Sequence, residues 1–214
     1  MKIGVLALQG DFDAHRRRLE ELGADVVLVR KPEQLVDIDG LVIPGGESTT
    51  FLKLLGEAGF EKLREFVHTR PTFGTCAGAI LLATAVTNPP QQGLGAIDVT
   101  VRRNAYGRQI NSSIRKGFCR LVPKGAEENL ARRSRGARDT AVVEESELEM
   151  VFIRAPKFEH VGKDVEVLAL ENDDPVLVRQ GRVMAATFHP ELSSDPRVHQ
   201  AFLDLVRSSS GQRD

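Results

Sequence analysis

Short apolar runs alternate with amphipathic stretches over the first half of the chain. The run at 3–8, interrupted only by Gly4, is typical of a strand buried on both faces. Apolar positions then recur at helical spacing from Phe12 to Leu22, and Gly23 marks the end of this helix. The same criteria predict strands at 26–29, 40–43 and 71–75, and helices at 48–55, 60–67 and 77–85. Strand–helix–strand alternation of this kind indicates a parallel sheet covered by helices.

The second half has a different rhythm, with closely spaced strands in place of the strand–helix alternation. Strands are predicted at 97–101, 151–153, 165–170, 176–178 and 183–188, and only 196–207 returns to a helical pattern. We therefore expect a mixed sheet within one domain that spans residues 1–214. The segment 124–149 is polar and charged, basic first and acidic afterwards, which favours a solvated surface insertion. A basic docking patch is the alternative interpretation.

Composition narrows the function classes. The chain has 214 residues, 41% of them hydrophobic, and a formal net charge of -1, which gives no indication of a nucleic-acid partner. No apolar run approaches the roughly 18 residues that cross a membrane, and the first residues do not have the pattern of a signal peptide. The two cysteines, Cys76 and Cys119, are therefore expected to be reduced thiols in a cytoplasmic protein.

The strongest chemical signal is the sequence FGTCAG at 73–78, where Cys76 lies between a short strand and an apolar helix. A nucleophile flanked by glycines in a strand-to-helix turn is held exposed at the top of the sheet. The start of a helix also favours the thiolate, and the backbone N–H of Ala77 is placed to stabilise an oxyanion. Cys119 has no such setting and is interpreted as a buried structural cysteine.

A nucleophilic cysteine needs a base, and His189 is the best candidate among five histidines. It closes the predicted strand 183–188, and Glu191 follows two residues later, so that an extended chain would place both side chains on one side. His15, His68, His160 and His199 are interpreted as solvated or packing residues. Cys76 and His189 both follow strands at their carboxyl ends, where the sites of α/β proteins assemble.

A third candidate element is the sequence PGGESTT at 44–50, which follows a strand. Its two glycines allow the backbone to turn and to present N–H groups, and Glu47 is suited to accept a hydrogen bond from a substrate ammonium group. Ser48 or Thr49 is expected to cap the following helix. A phosphate loop is the competing interpretation, but no lysine follows the glycines.

Several motifs together resemble the class I glutamine amidotransferases, and within them the glutaminase subunits of pyridoxal 5′-phosphate synthase. They are LQG at 8–10, PGGESTT at 44–50, GTCAG at 74–78, RNAYGRQ at 103–109, FIRAP at 152–156 and FHPE at 188–191. The match runs in order over nearly the whole chain, and the RNAYGRQ and FIRAP segments are the ones that single out this family. The resemblance implies a flavodoxin-like α/β fold, with a mixed but mostly parallel sheet flanked by helices.

The resemblance also implies the reaction and its residues. Cys76 would attack the side-chain amide of L-glutamine, His189 would move protons, Glu191 would orient His189, and the N–H groups of Gly46 and Ala77 would form the oxyanion hole. Residues expected to bind glutamine are Gly46, Glu47, Ser48, Arg103, Ile153 and Arg154, with Gln9 close to the site and to the partner contact. Arginine suits a carboxylate because its guanidinium matches the two oxygens.

The ammonia would pass to a synthase subunit, in a large hetero-oligomer, that makes pyridoxal 5′-phosphate from ribose 5-phosphate and glyceraldehyde 3-phosphate. Neither a cofactor nor a metal is expected in this subunit, and no nucleic-acid or membrane partner. The sequence departs from the family at 110–114, which lacks the usual acidic stretch, and the segment from Gln109 to Val151 is longer than expected. This face is therefore the one where packing and partner contact are expected to depart from those of the family.

Two competing hypotheses come from other classes of protein. A different cysteine hydrolase or a chaperone-like protein on a similar fold would keep the cysteine turn without the His-Pro-Glu sequence and the arginines. A non-catalytic regulatory subunit would have lost the nucleophile or the base. Cys76, His189 and Glu191 are all in place here.

Overall fold

A computed structural model describes residues 1–105, 113–121 and 145–210, which form twelve strands and four α-helices. The strands are β1 (Lys2–Leu6), β2 (Asp25–Val29), β3 (Gly40–Ile43), β4 (Thr72–Thr75), β5 (Ala83–Thr87), β6 (Ile97–Arg102), β7 (Ser113–Cys119), β8 (Ser146–Phe152), β9 (Lys157–Val161), β10 (Glu166–Glu171), β11 (Asp174–Gln180) and β12 (Val183–Ala186). The helices are α1 (Phe12–Glu21), α2 (Ser48–Thr69), α3 (Ala77–Leu82) and α4 (Arg197–Ser210).

Nine strands form one mixed sheet in the order β2-β1-β3-β4-β12-β11-β10-β7-β8. The five strands from β2 to β12 run parallel to one another. From β12 onward each strand is antiparallel to its neighbour. A smaller sheet has the order β5-β6-β9. Because β4 and β12 are parallel neighbours, their carboxyl ends lie side by side at one edge of the main sheet.

The helices cover both faces of the main sheet. Apolar side chains of α2 and α3 belong to one core cluster, and those of α1 and α4 belong to another. Strand β3 supplies both clusters, since Leu41 and Ile43 contact the first and Val42 the second. This burial on two faces explains why the parallel strands have continuous apolar sequences. Within the described residues, no helix combines the length and the apolar character that crossing a membrane requires.

The expected α/β fold, a mixed sheet flanked by helices, is confirmed. The predicted helices at 48–55 and 60–67 are the two halves of α2, which is interrupted at Gly56 with a φ of 62°. The predicted strand at 40–43 has the bounds of β3, and the strands predicted in the second half are present with shifted ends.

Three parts of the prediction are wrong. The helix predicted at 77–85 ends at Leu82, and residues from Ala83 form β5, because an apolar run without polar punctuation has no period that separates helix from strand. Strands β7 and β9 were not predicted. Residues 146–149, assigned to the charged insertion, begin β8 and pair with β7. The rest of that insertion, 124–144, lies outside the described residues, and the single domain over 1–214 stays a prediction.

Candidate active site

Cys76 lies in a sharp turn between β4 and α3. Its backbone has φ 47° and ψ -101°, a conformation that is strained for a residue other than glycine. The turn fits only because its neighbours are small: a Cβ on Gly74 would lie 2.6 Å from the carbonyl carbon of Gly78, and a Cβ on Gly78 would lie 2.1 Å from the carbonyl oxygen of Ile43. The backbone N–H of Cys76 donates to the carbonyl oxygen of Ala186 at 2.8 Å, which ties the turn to β12.

His189 follows β12 and is brought against Cys76 by the parallel pairing of β4 with β12. Its side chain lines the same cleft as that of Cys76, close enough for the thiol to raise the pKa of the imidazole. Its Nδ1 lies 2.7 Å from Oε1 of Glu191, and since the carboxylate accepts this hydrogen bond, Nε2 is left to face the thiol. The structure therefore brings together the residues that the sequence predicts as base, orienting group and nucleophile.

Glu191 reaches His189 by a different route from the one expected. The chain does not continue extended through residue 191, because Pro190–Leu192 form one turn of 3₁₀ helix. His189 itself is extended, with φ -108°, and its N–H donates to the carbonyl oxygen of Val151 at 2.8 Å. The expected side-by-side placement is thus correct and the extended i, i+2 geometry is wrong.

The buried His–Glu pair is strongly polarised. Burial by itself lowers the pKa of His189, but the interactions with the Cys76 thiol and with the Glu191 carboxylate outweigh it and raise that pKa to about 10. Burial raises the pKa of Glu191, but the electrostatic effect of His15 and the hydrogen bond from His189 lower it to about 2. The imidazole is therefore held in the form that can protonate a leaving amine, beside an ionised carboxylate.

Of the two predicted oxyanion-hole residues, Ala77 directly follows Cys76 and Gly46 lines the same cleft as Cys76. Ala77 is the first residue of α3, so that its N–H has no acceptor within the helix. Gly46 has a φ of 141° and is in close contact with Gln9. The side-chain amide of Gln9 pairs with the backbone of Glu47 in both directions, at 3.1 and 3.2 Å. Gln9 therefore fixes the turn that carries Gly46, which is a supporting position and not a place on the cleft wall.

A cleft of about 210 Å³ opens above Cys76 and His189. It brings together all of the predicted glutamine-binding residues except Gln9, and the sequence did not single out four other residues of its wall. The lining residues are Asp11, Gly46, Glu47, Ser48, Cys76, Ile80, Arg103, Asn104, Ile153, Arg154, Pro156 and His189. Arg154 has a positive φ of 44°, a conformation seldom adopted by residues other than glycine and often found at binding sites.

Polar contacts on the cleft wall differ from the expected ones in one respect. Glu47, and not Ser48 or Thr49, caps α2: its carboxylate accepts hydrogen bonds from the N–H groups of Thr49 and Thr50. The Ser48 hydroxyl is buried and donates to Oε1 of Gln91 at 2.7 Å. The side chain of Glu47 is long enough to reach forward to the first N–H groups of the helix. The cap therefore lies one residue before Ser48, the first of the two residues expected to provide it.

Two further histidines lie behind the triad. His15 and His199 are completely buried, and His15 Nε2 is 3.3 Å from Oε2 of Glu191. Their expected role as packing residues did not include this contact with a triad residue. The one signal in the sequence was that His15 occupies an apolar-face position of α1, in step with Phe12 and Leu19.

A metal is not needed to account for the charged groups. Within the described part of the chain, possible ligand atoms of Asp11, His189 and Glu191 lie within 4.8 Å of one another. The facing atoms of His189 and Glu191 are already joined by a hydrogen bond of 2.7 Å, and Asp11 is exposed. We therefore assign no metal to this cluster.

A cysteine in a strand-to-helix turn, contacting a histidine–glutamate pair at the end of the neighbouring parallel strand, defines a cysteine hydrolase of the triad type, and the arginines in the cleft suit an amino-acid substrate. The sequence profile of the SNO glutamine amidotransferase family matches residues 5–208. The chain belongs to the SNO glutamine amidotransferase family.

Individual relatives agree with this family. The chain is 63% identical over 214 residues to the pyridoxal 5'-phosphate synthase subunit PdxT of Koribacter versatilis (strain Ellin345), with both chains covered in full. It is 52% identical over 206 residues to the protein of that name from Solibacter usitatus (strain Ellin6076), covering 96% of this chain and 99% of the relative. A solved crystal structure of glutamine amidotransferase has 43% identity and a TM-score of 0.79, covering 96% of this chain and 98% of its own.

Proposed function

We propose that Cys76, His189 and Glu191 hydrolyse the side-chain amide of L-glutamine in the cleft. As a member of the SNO glutamine amidotransferase family, the chain is the glutaminase subunit of a pyridoxal 5′-phosphate synthase. The observation that supports the catalytic assignment is that Cys76 and His189 line one cleft while His189 is hydrogen-bonded to the buried Glu191 at 2.7 Å.

The first half of the reaction forms a thioester. The Cys76 thiolate attacks the amide carbon, and the carbonyl oxygen takes the negative charge between the N–H groups of Gly46 and Ala77. The imidazolium of His189 gives its proton to the amide nitrogen, and the C–N bond breaks to release ammonia. In the second half, His189 takes a proton from water as the water attacks the thioester. The C–S bond breaks, glutamate is released, and the Cys76 thiolate and the His189 imidazolium are regenerated.

Substrate orientation is assigned to the cleft wall. Arg103 and Arg154 bind the α-carboxylate of glutamine, and the carboxylate of Glu47 accepts from its ammonium group. In the free chain Nη2 of Arg103 lies 3.3 Å from Oε1 of Glu47, so the two groups are already adjacent and of opposite charge. A zwitterionic amino acid can insert its own carboxylate and ammonium between them.

Ammonia released at Cys76 passes to the synthase subunit, which incorporates it into pyridoxal 5′-phosphate from ribose 5-phosphate and glyceraldehyde 3-phosphate. We place the chain in the cytoplasm, since Cys76 and Cys119 are both free thiols and a reducing compartment would keep the nucleophile active.

The first experiment measures ammonia release from glutamine by the purified chain, alone and with a pyridoxal 5′-phosphate synthase subunit. We expect release to rise with the partner and to vanish in Cys76→Ala. Cys119→Ala is the matched control, because Cys119 is also buried but lies outside the cleft. No release by the folded, complexed wild type would instead support a regulatory subunit, and release that survives Cys76→Ala would mean that the nucleophile is a different residue.

A further inference from the structure

A buried pair of histidines, His15 from α1 and His199 from α4, lies directly behind the triad. Their nearest ring nitrogens, Nδ1 of His15 and Nε2 of His199, are 2.9 Å apart. The other nitrogen of His15, Nε2, lies 3.1 Å from the Thr75 hydroxyl and 3.3 Å from Oε2 of Glu191. Thr75 directly precedes Cys76, so one imidazole contacts both the nucleophile strand and the carboxylate that orients the base.

The contacts determine which nitrogen carries the proton. If Nδ1 of His15 held it, the Nε2 lone pair would face the Glu191 carboxylate, and His199 would need a proton on Nδ1. That Nδ1 is buried without a hydrogen-bond partner among the described residues, so an N–H there would be costly. With the proton on Nε2 of each ring, His199 donates to His15, and His15 donates to Thr75 with Oε2 of Glu191 lying 3.3 Å from the same nitrogen. Among the described residues, the group of these two rings that is left without a hydrogen-bond partner is then the lone pair on Nδ1 of His199.

Both rings are held neutral. Burial lowers the pKa of His15 and, more strongly, that of His199; the charge of His189 lowers the pKa of His15 further, and His15 lowers that of His199. The charged groups around them are Glu191, His189, Asp11 and Arg18, of which the carboxylates act in the opposite direction. A neutral donor can hold a carboxylate without taking its charge, which the Glu191–His189 pair requires.

Glu191 needs such a donor. Its Oε1 accepts from His189, but Oε2 is buried and has no hydrogen bond of good geometry among the described residues. The N–H of His15, shared with Thr75, is the donor that faces it, at 3.3 Å. Without this N–H, we expect the Glu191 carboxylate to be free to rotate. The imidazole of His189, which is hydrogen-bonded to that carboxylate, would then rotate as well.

We propose that His15, oriented by His199, is a positioning residue that holds the second oxygen of Glu191 and so keeps His189 aligned on Cys76. This inference rests on the proposed glutaminase function, because its effect is measured on that reaction. The relay is His199 to His15 to Glu191 to His189, and it never touches the substrate.

The test compares two variants of His15 in the complete complex with the synthase. His15→Phe keeps the ring shape, including the edge contact with Phe73, and removes the donor. We expect its kcat to fall about 10- to 100-fold, the loss associated with a hydrogen bond to a charged group, with the glutamine KM nearly unchanged. His15→Gln places an amide N–H near the position of Nε2, and we expect it to restore kcat to within about 3-fold of wild type.

Stability separates positioning from a structural role. Both variants are expected to lower the urea midpoint, because His15→Phe leaves the buried Nε2–H of His199 and Oε2 of Glu191 without the groups that face them, and His15→Gln fills the ring site less well. Leu19→Ala, one turn further along α1 and fully buried, is the matched control: it destabilises the same helix and should leave kcat unchanged where the protein is folded. If His15→Phe does not fold, His199→Phe removes the donor to His15 and should lower kcat about 3- to 10-fold.

Three outcomes would overturn the proposal: full kcat in a folded His15→Phe, no recovery in His15→Gln, or losses of kcat that follow stability in all variants including Leu19→Ala. Failure of the proposed function is a separate result, since it would be seen as absent ammonia release by the wild-type complex.

Discussion

On the cleft wall, the side chain of Glu47 caps α2 and is also the group that we propose binds the substrate ammonium. Its carboxylate accepts from the backbone and hydroxyl groups of Thr49 and Thr50, and Arg103 lies against Oε1. Desolvation raises the pKa of Glu47, but the hydrogen bonds from both threonines lower it to about 2. The group is therefore ionised at neutral pH.

Glu47→Ala should weaken both functions. Loss of the helix cap is expected to lower the free energy of unfolding by about 1 kcal/mol. Loss of the ammonium acceptor is expected to raise the KM for glutamine about 10-fold, as one charged hydrogen bond contributes. Urea unfolding and initial rates of ammonia release measure the two effects. The control is Glu61→Ala, an exposed position of the same helix paired with Arg64, which should change neither the free energy of unfolding nor the KM by much. An unchanged KM in Glu47→Ala would show that Glu47 does not bind the substrate.

Among the elements, α3 packs against the sheet at backbone contact, and glycines allow this approach. Gly78 brings the backbone of α3 against the carbonyl oxygen of Ile43 in β3, and Gly74 in β4 brings it against Gly78. These approaches hold Cys76 in its strained conformation at the end of the sheet. The position of the nucleophile is thus set by backbone-to-backbone contact, which tolerates no added methyl group.

Two helical glycines should respond to alanine with opposite signs. Gly59→Ala in α2 meets its nearest neighbour at 3.5 Å, an ordinary contact, so the better helix propensity of alanine should stabilise the protein by about 0.5–1 kcal/mol. Gly78→Ala in α3 meets the Ile43 carbonyl oxygen at 2.1 Å, and we expect it to destabilise by about 2 kcal/mol or more and to lower glutaminase activity. Thermal unfolding of both variants checks this, and stabilisation by Gly78→Ala would contradict the close approach.

At the scale of the whole molecule, the buried histidines join the two ends of the chain. His15 and His199 are 184 residues apart in sequence and share a hydrogen bond between α1 and α4 on one face of the sheet. Both must stay neutral in the folded protein because burial lowers their pKa values. The unfolded chain has no such restriction and takes up protons below a pH of about 6.5.

Stability should therefore fall as the pH drops from about 7 to 5. A histidine whose pKa is lowered by folding contributes stability that is present above its unfolded pKa and is lost below it, at most about 2 kcal/mol per group over this interval. Urea unfolding as a function of pH measures the slope. His199→Asn should reduce the slope, and His160→Asn, at an exposed position of β9, should leave it unchanged. Equal slopes for all three proteins would show that the buried pair does not control acid stability.

Glu191 adds a second step at lower pH. Its pKa of about 2 lies below the usual value of 4.5, so its contribution is complete above about 4.5 and is lost as the pH falls through 2. Glu191→Gln should remove this step and, through loss of the acceptor for His189, most of the activity. A retained step in Glu191→Gln would assign it to other carboxylates, such as Asp195, whose pKa is also lowered by its hydrogen bonds from Arg197 despite its burial.

The sequence by itself determined the elements that local pattern controls and the motifs that chemistry requires. The parallel strands, the cysteine turn and the His-Pro-Glu sequence were all identified, because burial on two faces, glycine at a tight turn and proline after histidine each leave a local trace. The family also followed from the motifs, and the family profile confirms it. The catalytic and binding roles of the individual residues stay predictions.

Tertiary structure decided what depends on partners distant in sequence. Ala83 to Thr87 became strand β5 because β6 was available to pair with it, which the apolar run alone could not indicate. The cap of α2 at Glu47 depended on where the chain turned after β3. The packing of α1 against α4 brought His15 and His199 behind Glu191, and neither histidine has a neighbour in sequence that predicts this. Pairing and packing are long-range contacts, so they exist only once the chain has folded.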